Sequence, residues 1–250
     1  MTILVTGHEG MLGSRLVENL RLKGNQVVEF VGDTTKKEDW DRHKDEIYIT
    51  VIHLAAFAGV RPSFDNPEGY YFNNVNSMQN AVEFCQEQCT TKFIYASSSN
   101  AKEWWLNPYA ATKRMNEVQG KFYKSIGMRF HTIWPGRQDM LYQKLLNKEV
   151  TYINEDHYRD FVHVDDVISA IDTILTNYDK VLEIEGPVVD IGTGHQTPVS
   201  EVAKVMGYEG EYVKDNSVGE RKNTCANVEY LLQLGWTPKG NILNANSNNQ

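Results

Sequence analysis

Cysteine is scarce in this 250-residue chain: Cys85, Cys89 and Cys225 are the whole complement. An odd set with no C-x-x-C pair suggests neither a disulfide framework nor a zinc site. Cys85 and Cys89, four apart on an expected helix, read as small core residues. Positive charge is also short. Lys and Arg number 25 against 33 Asp and Glu, a formal net charge of −8. That balance argues against a general nucleic-acid binder, and an anionic substrate would need locally placed arginine or lysine. No apolar stretch approaches the length of a membrane span, and no basic segment followed by an apolar run opens the chain. Metal, nucleic acid and membrane are therefore not expected as partners, and the cytoplasm is the expected compartment.

What is present is an alternation. Hydrophobic residues make up 41% of the chain, enough for one large domain or one domain with an appendage. "TILVT" reads as a short buried strand, and residues 10–23 as a helix with Leu12, Leu16, Val17 and Leu20 on one face. "QVVEFV" and "TVIHLAAF" are further strands, the second apolar throughout, as in a strand buried on both faces. Residues 70–88 read as a helix, "KFIYAS" as a strand, 109–125 as a helix and "MRFHTIW" as one strand. Strands alternating with helices imply an α/β fold, a parallel sheet covered on both faces. Helices are expected over 140–147, 164–175, 199–206 and 228–234, with a strand at "VVDIG". The Asn-rich end, 241–250, is expected to be a disordered tail.

The first strand runs into "TGHEGMLGSRL", where Gly7, Gly10 and Gly13 are spaced G-x-x-G-x-x-G. A glycine triplet alone is weak, but between a buried strand and a helix it is the arrangement that binds a dinucleotide. Gly7 permits the tight turn, Gly10 lets a pyrophosphate approach the backbone, and Gly13 allows close packing of helix on strand. Met11 and Leu12 open the helix whose N–H groups and dipole face the phosphates. An acid at the end of the second strand is expected on the adenosine ribose. The candidate is Asp33, with Thr34 beside it on the cofactor; it lies somewhat beyond that place, which Val31 occupies, and stands either for the ribose acid or for a later acid that touches the adenine. Lys36 and Lys37 are near, but no Arg follows to meet a 2′-phosphate, so NAD is expected over NADP.

Tyr109 and Lys113 are four apart and share one helix face. An ammonium nearby favours the phenolate, which makes Tyr109 a usable general base for a sugar hydroxyl. The same lysine can hold the nicotinamide ribose. Ser98, at a strand end, can hydrogen-bond the hydroxyl that Tyr109 would deprotonate. His53 and His163 lie in apolar strand-like surroundings and read as packed rather than catalytic. Arg159 either binds an anionic ligand or pairs with Asp160 or Asp165. Arg137 either clasps a sugar carboxylate bidentately or is a solvated loop arginine. Trp104 and Trp105 either cap a cleft or pack.

"TGHEGMLG", "VIHLAAFAGVRPS", "YYFNNVNS", "FIYASSS", "NPYAATKRMNE" and "RDFVHVDD" occur in that order. Together they resemble the extended short-chain dehydrogenase/reductase family, in its NAD-dependent epimerase/dehydratase group acting on nucleotide sugars. "AGVRPS", "GRQDM" and "RDFVHVDD" are similar to stretches of its UDP-glucuronate 4-epimerases. The resemblance implies a Rossmann-type doubly wound sheet over residues 1–135, with returning segments from about 156–195. It implies a small, trimmed substrate-binding lobe mainly within 136–240. It places Leu54, Ala55, Ala56 and Asn73 on the cofactor. Ser98, Tyr109 and Lys113 become the catalytic set, Tyr109 and Lys113 touching cofactor as well. Arg159 falls on the nucleotide diphosphate, and Thr132 and Arg137 fall near the sugar. A homodimer through helices 70–88 and 109–125 is a further implication.

The chain departs from that family in three places. The family's extra helix and strand after the second strand are missing. The loop from Ser98 to Tyr109 is short, with Asn100-Ala101-Lys102-Glu103 in place of V-Y-G. Near the C-terminus, Asn216-Ser217 replaces an arginine before Gly219-Glu220, while Leu234-Gly235-Trp236 keeps the family pattern. The activity these features imply is NAD-dependent 4-epimerisation of a nucleotide sugar, UDP-glucuronate among the candidates. A 4-keto reductase or dehydratase on the same scaffold is the rival, although Ser99-Asn100 replaces the Asp-Glu a dehydratase uses. A non-catalytic dinucleotide-binding protein is the rival of another kind.

Overall fold

The apolar run Thr2–Thr6 forms β1, with its last four residues buried. In the computed structural model, which describes residues 2–214 and 217–248, the chain forms two units. The first holds Met1–Arg129 and Ile174–Val189, the second Phe130–Thr173 and Asp190–Gln250.

After β1 come α1 (Met11–Leu22), β2 (Gln26–Glu29), α2 (Lys37–Asp41), β3 (Thr50–His53), α3 (Val60–Asp65) and α4 (Pro67–Tyr71). Then follow α5 (Ser77–Glu87), β4 (Lys92–Ser98), α6 (Pro108–Phe122) and β5 (Ile126–Phe130). The six-stranded sheet has the order β10-β5-β4-β3-β1-β2, where β10 is Val188–Ile191. β1 runs parallel to β2, with Thr2 opposite Gln26, and to β3, with Ile3 opposite Thr50. β3 is parallel to β4. The chain therefore leaves β1 for β2 on one side and returns to β3 on the other. A doubly wound sheet binds ligands at such a reversal, at the carboxyl ends of its strands. β2 is the sheet edge, because the connection from β2 to β3 contains only the short α2. That helix buries Trp40 to 1% exposure against Phe30 and Phe84.

Several elements are broken where a continuous one was expected. Residues 70–88 are not one helix: a π-helical turn, Phe72–Asn76, separates α4 from α5. "MRFHTIW" is two strands. β5 ends at Phe130, and β6 (Thr132–Trp134) leaves the sheet to pair with β9 (Phe161–His163). The break falls at His131, whose N–H reaches Ile191 O instead. Cys85 is buried as expected, but Cys89 is exposed at φ +51, past the end of α5.

The second unit packs Trp134, Tyr142, Leu145, Phe161 and Val202 into a core that also takes Ile242 and Ala245. This corrects the expected tail. Residues 242–248 form a 3-10 segment, and Ile242 and Ala245, three apart, anchor it by their apolar side chains. Residues 249 and 250 lie outside the described residues. Trp236 is held by its indole N–H on Ser169 Oγ at 2.9 Å.

Candidate active site

The turn after β1 has the geometry that its glycines require. Gly7 has φ +69, and a methyl on it would lie 2.7 Å from Ala55 N. A methyl on Gly13 would collide with the Gly7 carbonyl, so helix and strand meet there without space for a side chain. Gly10 differs: an added methyl would meet nothing nearer than Gly7 O at 3.2 Å. Apart from that one tight contact no atom beyond its own helix and chain neighbours lies within 4 Å, at the first turn of α1, where the N–H groups of Met11, Leu12 and Gly13 have no helical partner. Backbone donors, positive dipole and free approach are what a pyrophosphate needs.

The loop beyond β3 adjoins this turn. Leu54 N donates to Thr6 O at 3.3 Å and Ala55 N to Thr6 Oγ1 at 3.1 Å. Ala56 follows, partly buried. Beneath the loop runs a buried polar chain. His53 Nδ1 meets Thr6 Oγ1 at 2.8 Å, and its Nε2 meets Ser77 Oγ at 3.1 Å. Ser77 in turn donates to Thr34 Oγ1 at 2.7 Å. Burial first, and then the Lys113 charge, push His53 down to about 3. It is a satisfied neutral core histidine, as its apolar strand suggested, but it ties together the ends of β1 and β3, the start of α5 and the turn after β2. The sequence signal was available in a Thr directly before the glycine turn and a Ser on the next helix.

Asn73 sits in the π-helical turn, an irregularity frequent at functional sites. Asn73 is partly buried and donates to Asn74 Oδ1. Its neighbour Asn74, 1% exposed, grips Phe57 through both N–H and C=O and donates to Thr112 Oγ1. The buried clamp is thus Asn74, and Asn73 stays partly exposed beside it.

Ser98 ends β4 at 5% exposure. Its hydroxyl accepts from Asn100 N at 3.2 Å and Asn100 Nδ2 at 3.3 Å. Ser97, on the opposite side of the strand, spends its hydroxyl on Glu117, which separates the two serines' roles. A short 3-10 segment, Ser99–Leu106, leads to α6 and exposes Trp104 and Trp105 as an edge-to-face pair at 6.1 Å. Asn107 caps α6 by accepting from Ala110 N at 2.7 Å, with Pro108 in the first position. That start fixes Tyr109 in the first turn, its ring edge-on to Tyr70 at 6.2 Å. Lys113, one turn on, is 3% exposed and donates to Ala96 O at 2.9 Å. Burial pushes its ammonium down to about 8, against a smaller upward pull from Glu117.

Glu117 continues the same helix face, the third residue of a 109–113–117 series that i,i+4 counting could have found. It is bound to Arg129 through Nε at 2.6 Å and NH2 at 2.7 Å, and to Arg114 at 3.0 Å.

The other expected residues lie in the second unit. Arg159 ends β8 (Tyr158–Arg159). It pairs neither with Asp160 nor with Asp165, but with Glu220 at 3.6 Å, and donates to Tyr158 O and Lys222 O. Asp160 is fully buried and accepts from Thr193 N, Thr193 Oγ1, Gly194 N and Ala226 N. Its lone pairs are committed there, so Arg159 remains with Glu220. Arg137 is 40% exposed and clasps Asp139 with two bonds of 2.9 Å. Thr132 begins β6, its N–H on Asp160 O. No group of three potential metal ligands occurs among the described residues, and no described helix is long and apolar enough to cross a membrane.

Known proteins resemble this chain in sequence and fold. Protein CapI of Staphylococcus aureus is 29% identical, covering 97% of this chain and 95% of its own. That alignment runs over 317 positions against 250 residues here, so the shortening falls in internal gaps. UDP-glucuronate 4-epimerase 4 of Arabidopsis thaliana is 25% identical, covering 95% of this chain and 72% of its own. The solved structure of MoeE5 in complex with UDP-glucuronic acid and NAD is 26% identical and covers 97% of this chain and 95% of its own, with a TM-score of 0.83. The sequence model of the NAD dependent epimerase/dehydratase family matches residues 3–192. The chain belongs to that family, as an enzyme with NAD as its cofactor.

Proposed function

We propose that this enzyme is a nucleotide-sugar 4-epimerase with UDP-glucuronate as substrate. The observation that carries this is Lys113: a buried ammonium, one helical turn after Tyr109, reaching the strand that ends at Ser98. Gly7, Gly10, Met11, Leu12 and Gly13 would hold the NAD pyrophosphate, with Leu54, Ala55, Ala56 and Asn73 alongside. When bound, NAD supplies reversible hydride acceptance at the sugar C4. Tyr109 takes the proton of the 4-hydroxyl, and Ser98 orients that hydroxyl. Lys113 favours the phenolate and holds the nicotinamide ribose. After the 4-keto sugar has presented its opposite face, Tyr109 returns the proton to the 4-oxygen. Arg159 holds the diphosphate. Arg137 takes the sugar carboxylate by exchanging Asp139 for it, a like-for-like bidentate swap.

Support for the uronate comes from the Arabidopsis protein, named a UDP-glucuronate 4-epimerase, and from MoeE5, which was solved in complex with UDP-glucuronic acid and also with UDP-glucose. A dehydratase is disfavoured because Asn100, an amide donating to Ser98, stands where that chemistry uses an acid. A second copy of the chain fits α6, whose Met115, Val118 and Phe122 are exposed at i, i+3 and i+7, a stripe that pairing would cover.

NMR of products after incubation with a panel of UDP- and GDP-sugars tests the assignment. UDP-glucuronate should equilibrate with its 4-epimer without net oxidation. A different sugar converted would replace the substrate. Net reduction would make the enzyme a reductase, and bound NAD with no product and no spectral change would make it non-catalytic.

A further inference from the structure

We propose that the adenosine end of the cofactor site does not exclude a 2′-phosphate, so that the chain binds NADP as well as NAD, and that Val31 decides this. The inference goes beyond the NAD assignment and rests on the dinucleotide lying at the glycine turn. Discrimination against NADP comes from a carboxylate at the end of the second strand. Such a group only accepts hydrogen bonds, so it binds a ribose 2′-hydroxyl and repels a 2′-phosphate.

Here the ladder ends with Phe30, whose N–H still reaches Val5 O at 2.9 Å. The next residue, Val31, is 67% exposed and carries no charge. Gly32 then turns the chain at φ +133, and a methyl on it would lie 2.7 Å from Asp39 Cγ.

The three carboxylates around this corner are each engaged. Glu29 pairs with Arg21 at 2.9 Å. Asp39, tucked under Gly32, accepts Asp33 N at 2.7 Å and pairs with Arg42 at 3.0 Å. Asp33 folds back on its own turn, with Oδ1 accepting Thr35 N at 2.9 Å and Thr35 Oγ1 at 2.7 Å. Its other oxygen lies 3.9 Å from the Lys36 ammonium. The turn itself is fastened from within, since Thr34 O accepts from Trp40 Nε1 at 2.9 Å and from Asn80 Nδ2 at 3.1 Å. Swinging Asp33 toward a ribose would break its own turn. An uncharged Val31, a self-engaged Asp33 and a nearby lysine make a corner without the usual anionic filter.

The test reads binding, not turnover. The full chain, freed of cofactor, is incubated with equal concentrations of NAD+ and NADP+. Unbound nucleotide is removed, the protein is denatured, and the released nucleotides are quantified by chromatography. At least one NADP+ per ten NAD+ is expected. A smaller share overturns the proposal, and retention of neither overturns it together with the dinucleotide site. Val31→Asp, at an exposed position, should lower the NADP+ share at least tenfold. No change there would overturn Val31 as the determinant. Asp33→Asn should move the ratio less than threefold, and a larger rise in NADP+ would transfer the role to Asp33.

Discussion

Lys113 donates its ammonium to the main-chain carbonyl of Ala96 at 2.9 Å while only 3% of the residue is exposed. One neutral acceptor does not replace the water that a cation loses on burial, which is why its proton is held less tightly than usual. The face of α6 that carries this charge carries Tyr109 a turn before and Glu117 a turn after.

Lys113→Met should therefore separate stability from activity. In the folded chain the ammonium deprotonates near 8, but in the unfolded chain near the ordinary lysine value of about 10.4. The unfolded state holds more protons between these values, so the stability of cofactor-free wild type should rise with pH across that window. Urea midpoints measured from pH 7.5 to 10.5 should show the rise in wild type and lose this component in the variant. Epimerase turnover in Lys113→Met should fall at least about 100-fold, the scale of a lost acid–base component.

Tyr109→Phe keeps the ring against Tyr70 and removes the acid–base oxygen. Turnover should disappear while bound NAD, read by absorbance after denaturation, stays at the wild-type level. Full activity would remove Tyr109 from the chemistry.

His53 predicts acid sensitivity. Its folded value of about 3 lies below the ordinary 6.5, so the unfolded chain takes up a proton in this window and the folded chain does not. Stability falls as pH drops from about 6.5 toward 3, by up to about 1.4 kcal/mol per pH unit from this residue. Carboxylates add a slope of the same sign, so the informative quantity is the difference from His53→Gln. The variant should show a shallower urea-midpoint profile between pH 6 and 4.

Glu117→Gln takes the charge from a buried carboxylate that the partly buried Arg129 guanidinium clasps with two bonds. Between the fully buried and the exposed limits for breaking such a pair, the cost should be about 1–3 kcal/mol, and urea denaturation at pH 7 should show it. Arg114→Ala, which removes an arginine whose side chain is 47% exposed, should cost under about 1 kcal/mol.

Arg137→Met tests the uronate. KM for UDP-glucuronate should rise at least tenfold, and KM for UDP-glucose should change little. Equal changes would leave Arg137 as a loop arginine paired with Asp139.

The strand–glycine turn–helix and the Tyr-x-x-x-Lys spacing are local patterns, and local patterns are legible in sequence because backbone geometry alone imposes them. Gly7 and Gly13 declare themselves by conformational need, and Tyr109 and Lys113 by helical period. Only the tertiary structure decided the rest. It set Ser97 on Glu117 and left Ser98 at the strand end, a difference made by one residue of alternation and a partner 20 residues away. It turned an Asn-rich end into core through Ile242 and Ala245, because two apolar side chains found a cluster that composition averages conceal. It committed Asp160 to Thr193, Gly194 and Ala226, donors 33 to 66 residues away. Where a carboxylate spends its lone pairs depends on donors brought together by folding, and no spacing rule along the chain contains them.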